Sequence, residues 1–429
     1  MRFIRHMTGD MADLMARLWP LAMVALFAEW GYAIMNMAAL PLFLTDAPPN
    51  GLGAAVENIG PIISIFLISE TILKAPLGLA GDHYGRKKLI VLGLFVSALT
   101  PFFMRTVTST WSLVPLRALD GIGAAAIWPC VFASVAVLTT TKERASAMTI
   151  FNMMYMVGLA LALPSYSLVI RYTHQHRDVF LIISLVFFLG AALALLLVPG
   201  TRDLPHHVQE DNEAAVAEPI GIRKTLILAA RSRIMLAMLV ASIFQATGVN
   251  LLNGVLTIYA KNQLKISPEN IGMVFIGPAV AVMLLAIPLG WLGNRWGKVK
   301  SVRIGLVTSF VALALIPSAD SLLMLSLIVV PFVIGSLIAT PSWLALITQL
   351  APVGHQGMIV GAVATAQGIG AIIGPTVGSN MYGRISPAAP FYAAAVFILI
   401  ALVIVWLEFK EDMKVDIPMQ VIRKIEECP

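Results

Sequence analysis

Residues 76–94 read PLGLAGDHYGRKKLIVLGL, and residues 288–306 read PLGWLGNRWGKVKSVRIGL. The two stretches lie 212 positions apart, align without a gap and are identical at 8 of 19 positions. The same offset carries Gly123 onto Gly335, Pro129 onto Pro341 and Gly158 onto Gly370. Apolar sequence matches itself by chance, but chance does not readily reproduce a Gly-x3-[Asp/Asn]-x2-Gly-[Arg/Lys] pattern. The chain therefore reads as two copies of one unit.

The surroundings of the repeat fix the solvent. Of 429 residues, 59% are hydrophobic and only 12% charged, and the mean hydropathy is +0.86. A soluble domain carries about 25% charged residues, so a water-soluble fold of this size is excluded. The two cysteines, Cys130 and Cys428, give no disulfide framework. A membrane-spanning helix needs about 20 mostly apolar residues. Twelve candidates run near 18–44, 58–80, 89–104, 111–138, 146–170, 179–198, 234–260, 271–291, 302–319, 322–348, 359–382 and 388–407. The third and ninth are short and are expected to borrow residues from their flanks. The first is too long for the apolar core of a signal peptide and reads as a retained helix.

The expected fold is therefore an all-α membrane protein of twelve transmembrane helices in two pseudo-symmetric six-helix bundles. Residues 1–198 form the N-terminal bundle, 199–233 a polar cytoplasmic linker, 234–409 the C-terminal bundle and 410–429 a cytoplasmic tail. With both termini inside, cytoplasmic segments hold 21 Lys and Arg residues and external loops 6. That bias sets the orientation and accounts for the net charge of +6 without nucleic acid. Six spans separate the two copies, so both point the same way across the membrane. Parallel six-helix repeats are a transporter architecture, with the substrate site between them near the midplane.

The loop Gly78-Leu-Ala-Gly-Asp82-His83-Tyr84-Gly85-Arg86-Lys87-Lys88 joins spans two and three. Its glycines permit a tight turn, and its acid and bases can pair with one another and with helix ends. It resembles the signature loop of the major facilitator superfamily, with His83 where a basic residue is usual and Asn294 replacing the acid in the second copy. Arg117-Ala-Leu-Asp120-Gly121-Ile-Gly123 in span four looks like the span-four motif of the superfamily's proton-coupled drug exporters. There a glutamine is common at the place of Asp120. Gly370-Ala-Ile-Ile-Gly374-Pro375-Thr-Val-Gly378 resembles those exporters' Gly-Pro helix motif, but it stands in span eleven rather than five, where only Gly158 and Pro164 occur. Lys142-Glu143-Arg144-Ala145 also fits the family. The resemblance covers essentially the whole chain and implies alternating access. Spans 1, 4, 7 and 10 would line the cavity, and Gly78, Asp82, Gly85, Arg86, Lys87 and Lys88 would form a conformational gate.

Charges at bilayer depth are costly and mark function by default. Five are present, all in the first half: Glu29 in span one, Glu70 and Lys74 in span two, Arg117 and Asp120 in span four. Glu70 and Lys74 are spaced i,i+4 and Arg117 and Asp120 i,i+3, so each pair can meet on one helix face. Glu29 has no local partner. Fully ionised, the set carries one net negative charge, which one proton would neutralise. Burial disfavours a charged carboxylate, so Glu29 is the expected proton carrier, tuned by Arg117 and Asp120. The competing reading is a purely structural Glu29 paired with Arg117 or Lys74. Glu70–Lys74 is as readily a bridge between helices.

The second half offers neutral polar groups: Gln245, Asn250 and Asn253 in span seven, Gln367 in span eleven. On a continuous helix the span-seven set shares a face that could hydrogen-bond a substrate or another helix. Trp30, Tyr32, Trp128, Tyr155, Tyr259 and Trp343 are candidates for stacking on a substrate or for packing. His206, His207, Glu210 and Asp211 in the linker, and His174 and His176 in an external loop, are weak candidates for a metal; no cofactor or metal is expected.

These readings converge on a monomeric secondary transporter in a lipid bilayer, best placed in a bacterial inner membrane. It would move a small or amphiphilic molecule coupled to protons, with export by antiport the first direction. Uptake of an organic anion, held by Arg117 or Lys74, is the alternative. A non-transporting sensor or assembly factor on the same fold is the rival of another class. Nothing points to an enzyme: Gly-x4-Gly-Lys-[Ser/Thr], His-Glu-x-x-His and Gly-x-Ser-x-Gly are all missing from the sequence.

Overall fold

The structure, a computed structural model, describes residues 2–139, 143–200, 233–278, 280, 284, 285, 295–350 and 356–410. Every regular element among them is helical, and 11 helices are long and apolar enough to cross a membrane. The protein is an all-α membrane protein. Ten of the 21 residues of the eighth candidate span, the start of the second repeat copy up to and including Asn294, Lys142, nearly all of the linker with its histidines, and all but the first residue of the tail lie outside the described residues.

The first six spans are α1 (Arg2–Ile34), α2 (Ile59–Tyr84), α3 (Arg86–Met104), α4 (Leu113–Leu138), α5 (Arg144–Thr173) and α6 (His176–Leu197). The chain continues α1 through a π turn, Met35–Ala39, into a short helix, Leu40–Thr45. Span seven consists of α7 (Arg233–Asn250) and α8 (Val255–Asn262). The last spans are α9 (Lys298–Leu315), α10 (Leu322–Leu350), α11 (Gln356–Arg384) and α12 (Ala389–Glu408). The two short candidates do extend into their flanks, α3 from residue 86 and α9 from residue 298.

The contacts divide the chain into two compact units, residues 1–54 with 65–215, and 55–64 with 216–429. In the first, α1 packs on α5 and α6, and α3 on α4 and α6. In the second, α7 packs on α11 and α12, and α9 on α10 and α12. The helix partnership is the same in both. Residues 55–64 join the second unit through Gly60 N–H, which donates to Ser379 Oγ at 3.1 Å, and Ser64 Oγ, which donates to the Ile372 carbonyl at 2.7 Å.

The repeated glycines explain the repeated packing. Gly85 and Gly297, at equivalent places before α3 and α9, have φ of 102° and 93°, a region open almost only to glycine. A Cβ on Gly93 would come within 2.6 Å of the Gly123 carbonyl, and one on Gly305 within 2.5 Å of the Gly335 carbonyl. The α3–α4 and α9–α10 crossings are thus one glycine-to-glycine contact built twice. A Cβ on Gly158 of α5 would lie 2.6 Å from the Leu26 carbonyl and 3.0 Å from the Trp30 N of α1, and one on Gly370 of α11 2.5 Å from the Ile243 carbonyl and 2.8 Å from the Thr247 N of α7. Small residues allow helices without a hydrophobic driving force to gain close van der Waals contact.

One expectation is corrected. Span seven is not a continuous helix: α7 stops at Asn250, and Gly254 takes the left-handed conformation (φ 78°) before α8 begins. Asn253-Gly254 is a turn pair, and it wins over the apolar run around it. Asn250 and Asn253 therefore do not share a helical face. The Gly370, Gly374, Gly378 stripe of α11 seats this break: a Cβ on Gly374 would lie 2.7 Å from Asn250 Cβ, and one on Gly378 would clash with the Leu251 carbonyl.

Candidate functional site

The span-four motif divides its work between packing and charge. Gly121 places α4 against α2 at Phe66, Ser69 and Glu70, with an added Cβ only 3.1 Å from Glu70 N. Gly123 places the opposite side against α3, where a Cβ would clash with Ser97 Oγ. These close approaches sink Arg117 and Asp120 completely: both side chains are 0% exposed. At that depth an unpaired charge would cost several kcal/mol, about 3–5 when one partner of a buried pair is removed.

The pair is accordingly well supplied. Arg117 Nη1 donates to Asp120 Oδ2 at 2.5 Å. Thr100 Oγ1, from α3, donates to Asp120 Oδ1 at 3.3 Å. Arg117 Nη2 donates to Asn36 Oδ1 at 2.5 Å, and the guanidinium carbon stands 4.4 Å from the centre of the Phe66 ring. Arg117 Nε is buried without a partner among the described residues. Tyr32 of α1 shares a 2.6 Å hydrogen bond with Ser97 Oγ and packs edge-on to Phe187.

Glu70 lies one turn from Lys74, and the two form a 2.7 Å ion pair in which Lys74 is 46% exposed and Glu70 10%. Glu70 is also within electrostatic reach of Glu29, Arg117 and Asp120. Glu29 is buried on α1 where Gly158 lets α5 close in, with an added Cβ at 3.2 Å from Glu29 Cβ. Its hydrogen-bond partner is the Tyr155 hydroxyl of α5. The structural alternative of Glu29 paired with Arg117 or Lys74 is not what forms. Among the described residues Glu29 has no cationic partner within ion-pair distance, although it is one of the few buried carboxylates.

The structure thus gathers Glu29, Glu70, Lys74, Arg117 and Asp120 into one cluster inside the first unit. It adds Asn36, which the sequence reading does not single out, and makes Tyr155, there a stacking candidate, a hydrogen-bond partner of Glu29. Asn36 was unmarked because a neutral amide in an apolar span costs less than a charge. Its polar side chain between Met35 and Met37 was the only signal. Tyr155 was noted as an aromatic, but a hydrogen bond to a residue 126 positions away has no local sequence signal. Trp128 stands beside it, with ring centres 5.7 Å apart, and edge-on to Phe151 at 6.4 Å. Tyr32 is a buried packing residue, Trp30 Nε1 donates to Ser165 Oγ at 3.0 Å, Tyr259 packs on Phe391 and Trp343 on Phe409.

Gln245, Asn250, Asn253 and Gln367 belong to the second unit and are half-buried. Asn250 Nδ2 is used on its own helix, donating to the Ala246 carbonyl at 2.8 Å. Among the loop residues, Asp82 and Arg86 pair at 2.7 Å, and Arg86 Nη1 reaches the Ala133 carbonyl of α4 at 3.3 Å. Gly78 abuts Pro129, with an added Cβ at 3.2 Å. Lys87 is half-buried and Lys88 exposed. His176, the first residue of α6, is held between Tyr166 OH of α5 (2.9 Å) and Asp46 Oδ2 (2.6 Å), which follows the short helix Leu40–Thr45.

Three comparisons bear on this arrangement. The family model described as Major Facilitator Superfamily matches residues 18–247 and 238–418. Multidrug resistance protein 2 of Bacillus subtilis (strain 168) is 25% identical over 373 residues, covering 83% of this chain and 88% of that protein. A homologue of the multi-drug resistance efflux pump PmrA from Lactococcus lactis is 23% identical over 387 residues, covering 88% and 91%. Among solved structures, a peptide transporter POT mutant in complex with sulfate superposes with a TM-score of 0.70 at 14% identity, covering 95% of this chain and 94% of that one. A mutant of the nucleoside transporter NupG superposes at 0.69 and 14% identity, covering 91% and 99%. These two likenesses concern the fold.

Proposed function

The chain belongs to the major facilitator superfamily of membrane transporters, and from that premise we propose that it exports a small amphiphilic cation in exchange for protons, with Glu29 as the shared binding group. The observation that carries this reading is the charge inventory of the buried cluster. Both cations are already taken by carboxylates, Arg117 by Asp120 and Lys74 by Glu70. Glu29 is buried beside a phenol hydroxyl and has no cationic partner among the described residues. A buried carboxylate is costly when charged and alone, so it is completed either by a proton or by a cationic solute. The two ligands then exclude each other, which is the requirement for exchange. The resistance and efflux relatives support the direction.

Alternating access between two parallel six-helix repeats supplies the transport cycle. In this reading both termini and the Asp82–Arg86 loop lie on the cytoplasmic side of a bacterial inner membrane, and the transporter works as a monomer. Gln245, Asn250, Asn253 and Gln367 are the polar contribution of the C-terminal half to the solute.

The test uses purified protein in proteoliposomes with a pH dye inside. Tetraphenylphosphonium is the cationic probe and benzoate the anionic one. The expected result is proton flux triggered by the cation and lost in Glu29→Gln. Undiminished flux in Glu29→Gln would refute the role of Glu29. Flux with benzoate alone would replace export by anion uptake, with Arg117 Nε as the unpartnered donor that favours it.

A further inference from the structure

The first span leaves regular α-helical geometry at one place, and that place carries Asn36. The π turn runs Met35-Asn36-Met37-Ala38-Ala39, preceded by Ile34 and followed by Leu40 in ordinary helical conformation. No proline or glycine lies within it, but Pro41 follows two residues on, and its ring and missing N–H displace the hydrogen bond to the Met37 carbonyl, which accounts for the local irregularity. π turns are rare, occur mostly as single-turn insertions in α-helices and are frequent at functional sites. Here it aims Asn36 Oδ1 at Arg117 Nη2, 2.5 Å away on α4.

The consequence is a matter of charge. Arg117 has a two-armed fork able to hold two carboxylates. One arm holds Asp120, and the other is filled by an uncharged amide oxygen. Glu70 is within electrostatic reach of the same guanidinium and is left to Lys74, which is nearly half exposed. We propose that Asn36 is a positioning residue for proton coupling: it occupies the second arm of Arg117 with a neutral acceptor, so the guanidinium neutralises one carboxylate only and the cluster keeps a carboxyl for the proton. This rests on the reading of the chain as a proton-coupled exporter. The titratable groups facing Arg117 and Asp120 are Tyr32 from α1 and Glu70 from α2, and Glu70 in turn faces Lys74 on its own helix, Glu29 from α1 and Tyr155 from α5.

Two substitutions push in opposite directions. Asn36→Asp keeps the shape and adds a negative charge, so the midpoint of the transport–pH curve rises by about one unit, a tenfold change in proton affinity. Asn36→Ala frees Nη2 to turn towards Glu70, and the midpoint falls. A structural role alone would change yield, melting temperature or maximal rate and leave the midpoint where it is. Proton occupancy is read a second way, by infrared titration of the carboxyl band in substrate-free protein, which needs no transport. Opposite shifts in the infrared titration support the proposal even if wild type moves no tetraphenylphosphonium, in which case the exporter reading fails alone. Superimposable titration curves for wild type and both variants overturn the proposal and leave export untouched. If Asn36→Ala does not fold, the near-isosteric Asn36→Asp decides by its own shift.

Discussion

Asp120→Asn is the most discriminating single change in the molecule. It removes one charge, keeps the volume and leaves an acceptor for Thr100. What remains is a guanidinium with 0% exposure, 2.5 Å from a neutral amide where a carboxylate stood. Removing one partner of a buried pair costs about 3–5 kcal/mol. Asn36, Phe66 and the retained amide oxygen all soften the loss, so the lower end, about 3 kcal/mol, is expected. For a cooperative unit of 150–250 residues, 1 kcal/mol corresponds to about 2–4 °C, so the apparent melting temperature should fall by about 6–12 °C. A thiol-reactive dye reads the transition through Cys130, which is buried, in a Cys428→Ser background. The double variant Arg117→Met with Asp120→Leu replaces the ion pair by apolar groups, a change often neutral or stabilising. It should recover most of the loss, short by about 1 kcal/mol for the Asn36 amide left without its donor. A single variant within about 1 kcal/mol of wild type, or a double variant less stable than the single, would refute the electrostatic account of this site.

Gly158→Val forces a branched side chain against Trp30 N and Glu29 Cβ; it should cost about 1–3 kcal/mol by overpacking and, in the flux assay, weaken proton coupling by parting Tyr155 from Glu29. The equivalent Gly370→Val, whose neighbours are Ile243 and Thr247, should lose similar melting stability while the pH midpoint of transport stays at its wild-type value. Gly85→Ala and Gly297→Ala each place a Cβ at a φ near 100° and should each cost about 1–3 kcal/mol, with matching falls in melting temperature because the turn is the same in both repeats. Trp128→Ala should weaken tetraphenylphosphonium binding about 2- to 30-fold and Trp128→Phe should restore most of it, as expected for about 0.5–2 kcal/mol of cation–π attraction beside Glu29; equal affinity in all three proteins, measured by equilibrium dialysis, would remove Trp128 from the solute site.

Which features were legible in the sequence follows from which ones are costly to alter. Gly85 and Gly297 stand out because almost no other residue accepts their backbone, and Gly93, Gly123, Gly305 and Gly335 because backbone touches backbone there. Glu29, Glu70, Lys74, Arg117 and Asp120 stand out because charge inside an apolar span is rare unless used. Partnerships were a different matter. The i,i+3 and i,i+4 pairs could be read from spacing, and both form. Glu29 with Tyr155 and Arg117 with Asn36 join helices, and no spacing rule reaches across them. The π turn had a signal just outside it, Pro41, whose ring falls on the Met37 carbonyl, but nothing in Met-Asn-Met-Ala-Ala itself says that Asn36 meets Arg117. The break after Asn250 also had a signal, Asn253-Gly254, but it is set in a run apolar enough to read as unbroken helix. The Gly-Pro motif of span eleven turns out to seat that break, which accounts for its glycine spacing by packing alone.

The two units share a scaffold but not its chemistry. At the offset of 212 residues that aligns the glycines, Glu70 corresponds to Val282, Lys74 to Ala286, Arg117 to Val329 and Asp120 to Phe332, and the matching contacts of Gly158 and Gly370 place Ala246 where Glu29 stands. Each of these five membrane charges has an apolar residue as its equivalent. Had the charges been structural bridges demanded by the six-helix fold, the second unit would need its own, because α7, α9, α10, α11 and α12 make the same set of contacts. It holds together without them. The charges are therefore an addition to a scaffold that does not require them, retained in spite of a desolvation cost of several kcal/mol per ion. Concentrating them in one unit also has a mechanical consequence. A single proton takes the cluster from one net negative charge to none, and only the first unit changes its electrostatic cost when that happens. In the proposed proton-coupled cycle, protonation would therefore act on the N-terminal helices, where all five membrane charges lie.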